Sequence, residues 1–469
     1  MEKYIGNKSS LLPSLEAYLN KKVPGAKSLS DFFGGTNNVG RYFRARGWST
    51  HSCDANRFSY VLAHTYLRTD EPPSFAQLGS LQTFTSCAQS IELDLSKTLS
   101  RYGHLYLPGT ELTAYLKRYS RLSIVLAKLQ QVGESNKHPW IITDYYTQWG
   151  KRAAYESMRG SKGLRNYFSQ SNALLLDGIL FELRRWWQEG RLSYQELFVL
   201  LTSVIEEIVI TANVNGTFHD FNRERIWPNA QQAFRLRLPV ISDSNNVGEI
   251  ANADANAVAP LFSPHEICYL DPPYNFRQYG AYYHFLNLIP ALPFLDDIEE
   301  YMHGVSQVRG QNLEDNFTSD FCFRDRFVAS LRNLISAANA NHVVLSYYSG
   351  RNHWNHWAKV EIPTDEGKSA LEEIFQDRTL FDDFEVVSAL EVRQNYQSRG
   401  GEQKGLINEH LFYGKKRKQI AKSPMSGSDV LESNARWGLG DHFRHLKGSS
   451  IKNADHISQC FEGATCVAC

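Results

Sequence analysis

Residues 28–54 read SLSDFFGGTNNVGRYFRARGWSTHSCD. A short strand enters a glycine turn at Gly34-Gly35, and a helix follows. Val39, Tyr42 and Phe43 recur at helical spacing, and Gly47 stops them before a second strand that ends at Asp54. Such a strand–turn–helix–strand unit is the repeating piece of a parallel sheet. In HEICYLDPPYN (265–275), an apolar strand from Ile267 to Leu270 halts at Pro272-Pro273, since proline has no N–H for a sheet. HVVLSYY (342–348) is a buried-strand run, preceded by a helical stretch from Phe327 to Ala338; LINEHLFY (406–413) is a late strand. Strands alternating with helices predict an α/β core with a mostly parallel sheet.

The interval from about 71 to 250 differs in texture. ALLLDGILFELRRWWQEG (173–190) and YQELFVLLTSVIEEIVIT (194–211) are helical patterns, so this interval is expected to be a mainly helical insertion. From Lys415, KKRKQIAKSPMSGSDV turns basic and then rich in Ser, Gly and Pro, as linkers are. The expected division is a discontinuous core from 1–70 plus 235–415, a helical insertion at 71–234, and a linker and tail at 416–469.

The 469 residues, 42% hydrophobic and 21% charged, are ample for a sizeable core and too apolar for a disordered chain. No window approaches the ~18 apolar residues that span a bilayer, and MEKYIGNKSS lacks the apolar run of a secretory signal. Seven scattered Cys make no disulfide framework, which suggests a reducing, cytoplasmic setting; Cys53, Cys87, Cys268 and Cys322 are expected as small buried apolar groups. Fifty basic and fifty acidic side chains cancel, excluding a purely electrostatic polyanion binder. The charge is nevertheless uneven: residues 117–165 carry ten basic side chains against three acidic.

Asp271-Pro272-Pro273-Tyr274 is the sharpest chemical feature. It stands beyond the carboxyl end of a strand, where open α/β sheets bind ligands. The amino nitrogen of an aromatic ring is a poor nucleophile, because its lone pair is delocalised. A carboxylate and a carbonyl of the rigid Pro-Pro turn can both accept from that NH2, holding the nitrogen nearer to tetrahedral. Tyr274 would offer a face for stacking. The second feature is Phe33-Gly34-Gly35-Thr36-Asn37, with Asp54 at the end of the next strand. Glycines let backbone approach a ligand, and an acid there can bind ribose hydroxyls. The spacing departs from G-x-G-x-x-G, which argues against a dinucleotide.

These residues together resemble the Dam-like, alpha-group N6-adenine DNA methyltransferases, over about 1–70 and 165–415. Tyr4-Ile5-Gly6-Asn7-Lys8 is similar to the family's N-terminal cofactor segment, Asp31-Phe32-Phe33-Gly34-Gly35-Thr36 to its glycine loop, and Asp54 to its ribose acid. Asn252-Ala253-Asp254 matches the acid near the cofactor's adenine; Leu345-Ser346-Tyr347 and Glu409-His410-Leu411-Phe412 resemble later core strands. The resemblance implies a Rossmann-like class I core that uses S-adenosylmethionine, held by Tyr4, Gly6, Lys8, Phe33, Gly34, Gly35, Thr36, Asp54 and Asp254. It implies catalysis by Asp271, Pro272, Pro273 and Tyr274, and a substrate-side loop with Asn275, Arg277, Gln278, Tyr279, Tyr283 and His284. The implied partners are double-stranded DNA and, in restriction-modification, a cognate endonuclease; no membrane and no metal are expected. By analogy with the family, Asp at 271 favours adenine N6 over cytosine N4, and the lack of a Pro-Cys dipeptide excludes cytosine-C5 chemistry. Asn37 departs from the family, which has Gly or Ser there.

Alternatives remain: methylation of RNA adenine or cytosine N4, or a DNA-binding subunit with a lapsed site. Lys117, Arg118, Arg121, Lys128, Lys151, Arg152, Arg159, Lys162 and Arg165 interleave with Tyr115, Tyr119, Trp140, Tyr145, Tyr146 and Trp149, and are expected to face DNA. The competing reading makes the aromatics core and the charges a solvated face. Cys460, Cys466 and Cys469 beside His456 lack the four spaced ligands of zinc, and RNHWNHW (351–357) is expected as a surface turn.

Overall fold

The computed structural model describes residues 8–81, 84, 88, 89, 91, 92, 95, 103–157, 160–303, 305, 308–350, 352–355, 365–393 and 406–417. Tyr4, Gly6, Cys87, Arg159, His356 and the stretch from 418 to 469, with its three cysteines, lie outside them. Helix α1 (Leu12–Lys22) precedes strand β1 (Ser28–Asp31), helix α2 (Asn38–Arg44), strand β2 (Ser49–Cys53) and helix α3 (Arg57–Ala63). The helical interval holds α4 (Leu112–Arg118), α5 (Ser120–Ser135), α6 (Ile141–Tyr146), α7 (Gln170–Gln188) and α8 (Tyr194–Thr211), with a hairpin of β3 (Ala154–Glu156) and β4 (Lys162–Leu164) between α6 and α7. Next come β5 (Ile250–Ala251), α9 (Ala255–Val258), β6 (His265–Leu270), α10 (Tyr279–Tyr282), α11 (His284–Ala291) and α12 (Ile298–His303). Helix α13 (Arg324–Ala337), β7 (Ala340–Tyr348), α14 (Glu366–Gln376), β8 (Phe381–Arg393) and β9 (Leu406–Lys416) close the fold.

The seven strands of the main sheet run β5-β2-β1-β6-β7-β9-β8, parallel except where β9 pairs antiparallel with β7 and β8. From β1 the chain moves outward through β2 to β5; from β6 it moves the other way through β7. The switch therefore lies between β1 and β6, and Asp31 and Asp271 emerge there at the carboxyl edge.

Side-chain alternation along the strands sorts the core into two layers. Ile267, Tyr269 and Val344 point into the larger apolar cluster, with Leu29 from β1. Cys268, Leu270, Val343 and Leu345 point into the smaller one, with Phe327, Leu331 and Leu334 of α13 and Leu371 and Phe375 of α14. Each such fully buried Leu or Phe stabilises by about 1.5–3 kcal/mol. The larger cluster continues without a break from the sheet into α5, α7 and α8. Helix α8 begins with a capping box between Ser193 and Glu196, and α7 with Ser169 accepting from the Asn172 N–H.

Candidate active site

The glycine loop is held by hydrogen bonds to the end of β2. The Gly34 N–H donates to the Cys53 carbonyl at 3.0 Å, and the Gly35 N–H to Asp54 Oδ2 at 2.8 Å. A Cβ on Gly34 would come within 2.3 Å of Ser52 Oγ, so a larger residue would have to displace the hydroxyl that donates to Asn37. Asn37 is left-handed at φ 57°, which Asn tolerates better than most residues. Its side chain bridges two elements: Ser52 Oγ donates to its Oδ1 at 2.6 Å and its Nδ2 donates to the Ser59 carbonyl at 2.9 Å. The departure from Gly or Ser at this position is therefore a structural brace.

Asp54 leaves β2 into a prepared turn. Its Oδ1 accepts from the Asn56 N–H and from Asn56 Nδ2, both at 2.8 Å, and Asn287 Nδ2 on α11 donates to Asn56 Oδ1 at 2.9 Å. Asn252 Nδ2 donates to the Asp54 carbonyl at 2.9 Å, while its buried Oδ1 has no hydrogen-bond partner among the described residues. Asp254 caps α9 by accepting from the Asn256 N–H. Phe33 is packed edge-on against Phe321 at 4.9 Å, and Thr36 is buried.

Across the switch point stands the tetrapeptide. The Tyr274 hydroxyl donates to the Ser346 carbonyl of β7, and its ring meets Tyr347 edge-on at 5.2 Å. Lys8 Nζ lies 3.3 Å from Asp271 Oδ1 and pairs more closely with Glu409 on β9. Ser346 Oγ donates to that same Glu409 oxygen. Lys8, Phe33, Gly34, Gly35, Thr36, Asp54, Asp254 and Asp271 to Tyr274 are thus gathered along one edge of the sheet. Glu409 and Ser346 join them; the sequence marked both only as strand residues. The available signal was a carboxylate inside the apolar run LINEHLFY, since a buried charge demands a partner.

The electrostatics are lopsided. Burial pushes Asp31 up to about 8, with the Asp271 and Asp54 charges adding to it, and burial likewise raises Asp54 and Asp254. Asp271 is pushed up to about 6: burial and the nearby Glu409 raise it, and Lys8 holds it down. Burial by itself would lower Lys8, but Asp271 and Glu409 overcome this and keep its ammonium charged.

The loop beyond the tetrapeptide divides. Asn275 Oδ1 accepts from the Arg277 N–H at 3.0 Å, and the Arg277 guanidinium lies 5.8 Å from the Tyr282 ring. Arg277 and Tyr279 are half-buried. Tyr283 and His284 do not belong with them. Tyr283 is 1% exposed against Phe58, and His284 is buried with burial lowering it to about 3. They sit at the start of α11, whose eight residues are all buried, so their place is the core.

The basic interval also needs correction. Tyr115 of α4, Tyr119 between α4 and α5, and Tyr145 and Tyr146 of α6 are all buried in the larger apolar cluster. Arg165 is fully buried and donates to the carbonyls of Tyr145, Arg152 and Val305. Arg118 and Arg121 are spent on the carbonyls of Asp70, Phe75 and Gly79. Lys151 and Lys162 stay exposed, as does Trp149. RNHWNHW is no surface turn at its described residues: Asn352 and His353 are buried, and His353 Nε2 bonds the Phe321 carbonyl at 2.8 Å.

Three relatives place this geometry. Modification methylase StsI of Streptococcus sanguinis is 25% identical over 92% of this chain and 53% of its own length. Modification methylase LlaI of Lactococcus lactis subsp. lactis is 24% identical over 90% of this chain and 56% of its own. The chain thus spans about half the length of these curated relatives. Type II methyltransferase M.NlaIII of Neisseria lactamica is 24% identical, over 73% of this chain and 82% of its own length. The model of the D12 class N6 adenine-specific DNA methyltransferase matches residues 4–92 and 148–292, taking in the glycine loop, Asp54 and the tetrapeptide. The chain belongs to the D12 class N6 adenine-specific DNA methyltransferase family.

Proposed function

We propose that this protein transfers the methyl group of S-adenosylmethionine to the N6 amino group of a flipped-out adenine in a specific duplex DNA sequence. The observation that carries this reading is Asp271-Pro272-Pro273-Tyr274 at the switch point, at the same carboxyl edge of the sheet as the loop in which the Gly35 N–H donates to Asp54. The residues fit that cofactor. Asp31, Asp54 and Asp254 are carboxylates whose burial a cationic ligand would offset, and Asn252 Oδ1 is a buried acceptor without a partner among the described residues. Asp54 would take the ribose hydroxyls, while Gly34 and Gly35 let backbone come close. When bound, the cofactor supplies an electrophilic methyl group.

The chain's own part is positioning. Asp271 accepts one hydrogen of the adenine amino group, and a carbonyl of the Pro272-Pro273 turn accepts the other. The nitrogen lone pair is thereby released from the ring and aimed at the methyl. Tyr274, fixed by Ser346 and Tyr347, supports the base.

DNA would approach along a line of contacts leaving the catalytic loop. Arg277 lies over Tyr282, Tyr282 stacks on His219 at 4.5 Å, and Arg223 lies over Tyr155 of β3. Lys162 of β4 is exposed at the end of this line. We assign target recognition within 71–234 to this hairpin and the 218–225 loop, which replace α4 and α5 as the basic face. Relatives named modification methylases support a place in restriction-modification, with a cognate endonuclease as partner and a cytoplasmic setting.

The test is incubation of wild type and Asp271→Ala with tritiated S-adenosylmethionine and unmethylated genomic DNA, followed by nucleoside separation. Label in N6-methyl-2′-deoxyadenosine from wild type alone is the expected result. Label in N4-methylcytosine, or in RNA only, would overturn the substrate; no label with DNA still bound would favour the lapsed subunit.

A further inference from the structure

Glu409 enters no step above, yet its carboxylate is joined to both ends of the tetrapeptide. Lys8 connects it to Asp271, and Ser346, which donates to it, gives its backbone carbonyl to the Tyr274 hydroxyl. Its side chain is 3% exposed, on the strand that pairs with β7 at the sheet's antiparallel edge. Burying such a charge is costly unless it is paired. Lys8 is shared unequally: it is in tight contact with Glu409 and at 3.3 Å from Asp271.

We propose that Glu409 is a positioning residue for methyl transfer, holding the Lys8 ammonium off Asp271 so that this carboxylate accepts from the adenine amino group. The proposal rests on the adenine-methylation reading and adds a residue to it. An ammonium alone beside one half-buried carboxylate would close on it, and a charged donor outcompetes a weak amine N–H for the same oxygens. A second, less exposed carboxylate draws the ammonium back. Asp271 is faced by Lys8 from the N-terminal segment, Asp31 from β1, Glu409 from β9 and Tyr279 from α10, besides Tyr269 and Tyr274 of its own segment. Of these, Glu409 raises Asp271 and Lys8 lowers it. Neutralising Glu409 removes a repulsion and releases Lys8 onto Asp271; both make Asp271 titrate lower and accept more weakly.

The experiment measures kcat/KM for DNA between pH 5 and 9 with the full chain and tritiated S-adenosylmethionine. Wild type, Glu409→Gln and Lys8→Met are compared, with cofactor affinity followed by equilibrium dialysis. Glu409→Gln is expected to move the acid limb down by about one pH unit and to lower plateau kcat about tenfold, with cofactor Kd within about twofold. Lys8→Met is expected to move the limb up. A merely structural Glu409 would lower the rate at every pH and leave the limb in place; that result, or wild-type rates throughout, overturns the proposal. Should Glu409→Gln not fold, Glu409→Asp reads the same limb, since it withdraws the charge by one methylene. A downward shift supports the proposal and an unmoved limb overturns it. A wild type that methylates no DNA overturns the adenine reading, and this proposal with it; a methylating wild type with an unmoved limb overturns this proposal alone.

Discussion

Asp271 acts as an acceptor, so its ionisation sets when the enzyme works. Its carboxyl is pushed up to about 6, chiefly by burial. Only the ionised form accepts from the adenine amino group, so kcat/KM should rise about tenfold per pH unit below about 6 and level off above 7. Initial rates across that range check the sign; a rate that climbs as the pH falls would assign Asp271 the opposite role. Asp271→Ala removes the acceptor altogether and is expected to lower kcat about 100- to 1,000-fold. Cofactor binding should survive, since Asp54 and the glycine loop are untouched, and equilibrium dialysis tests this separately. Asn37 offers a stability prediction. Asn37→Ala loses two buried hydrogen bonds and keeps a left-handed backbone, so it is expected to cost about 2–4 kcal/mol. Asn37→Gly relieves the backbone and should recover about 1 kcal/mol of that. Urea denaturation of both variants decides it: equal stabilities would mean that the left-handed geometry costs nothing.

At the scale of elements, arginines that look available in the sequence turn out to be joints. Arg44 of α2 is fully buried and donates to the carbonyls of Tyr66, Thr69, Ser244 and Asn246, tying α2 to the segment that leads into β5. Arg41 lies 3.5 Å over Tyr66 and 4.2 Å over Tyr106. Arg57 of α3 forms a two-pronged pair with Asp315, to which Tyr301 also donates. This ties the segment before α13 to the helix that follows Asp54. Arg57→Met would take away the guanidinium that the buried Asp315 carboxylate is paired with. The expected cost is about 3–5 kcal/mol, read as an earlier midpoint in denaturant. Arg57→Met at wild-type stability would show that the pair is replaceable.

Over the whole molecule, the neutral net charge hides a division between spent and exposed cations. Buried and paired arginines hold the helical interval against the sheet, while Lys162 of the hairpin and Arg223 of the 218–225 loop stand out, paired to the exposed Glu156 and Asp220. A double variant, Lys162→Gln with Arg223→Gln, should lower the slope of log K for DNA against log salt by about 2. Cofactor binding should be unchanged. A filter-binding series from 50 to 300 mM salt reads the slope, and an unchanged value would move the DNA face elsewhere.

The sequence by itself determined the sheet's grammar and the sites at its strand ends. Glycine at 34 and 35, proline at 272 and 273, and acids at 54 and 271 act through local backbone geometry, which neighbours in the chain dictate. Apolar runs likewise marked β6 and β7, because a strand covered on both faces buries successive residues. Tertiary structure alone decided which charges meet. The pairing of Lys8 with Glu409 joins residues 401 positions apart, and Arg165, Tyr283 and His284, expected to face DNA or substrate, are buried. A count of basic residues cannot tell a cation that faces solvent from one that caps three carbonyls. That distinction depends on what lies across the contact, and the contact exists only in the folded chain.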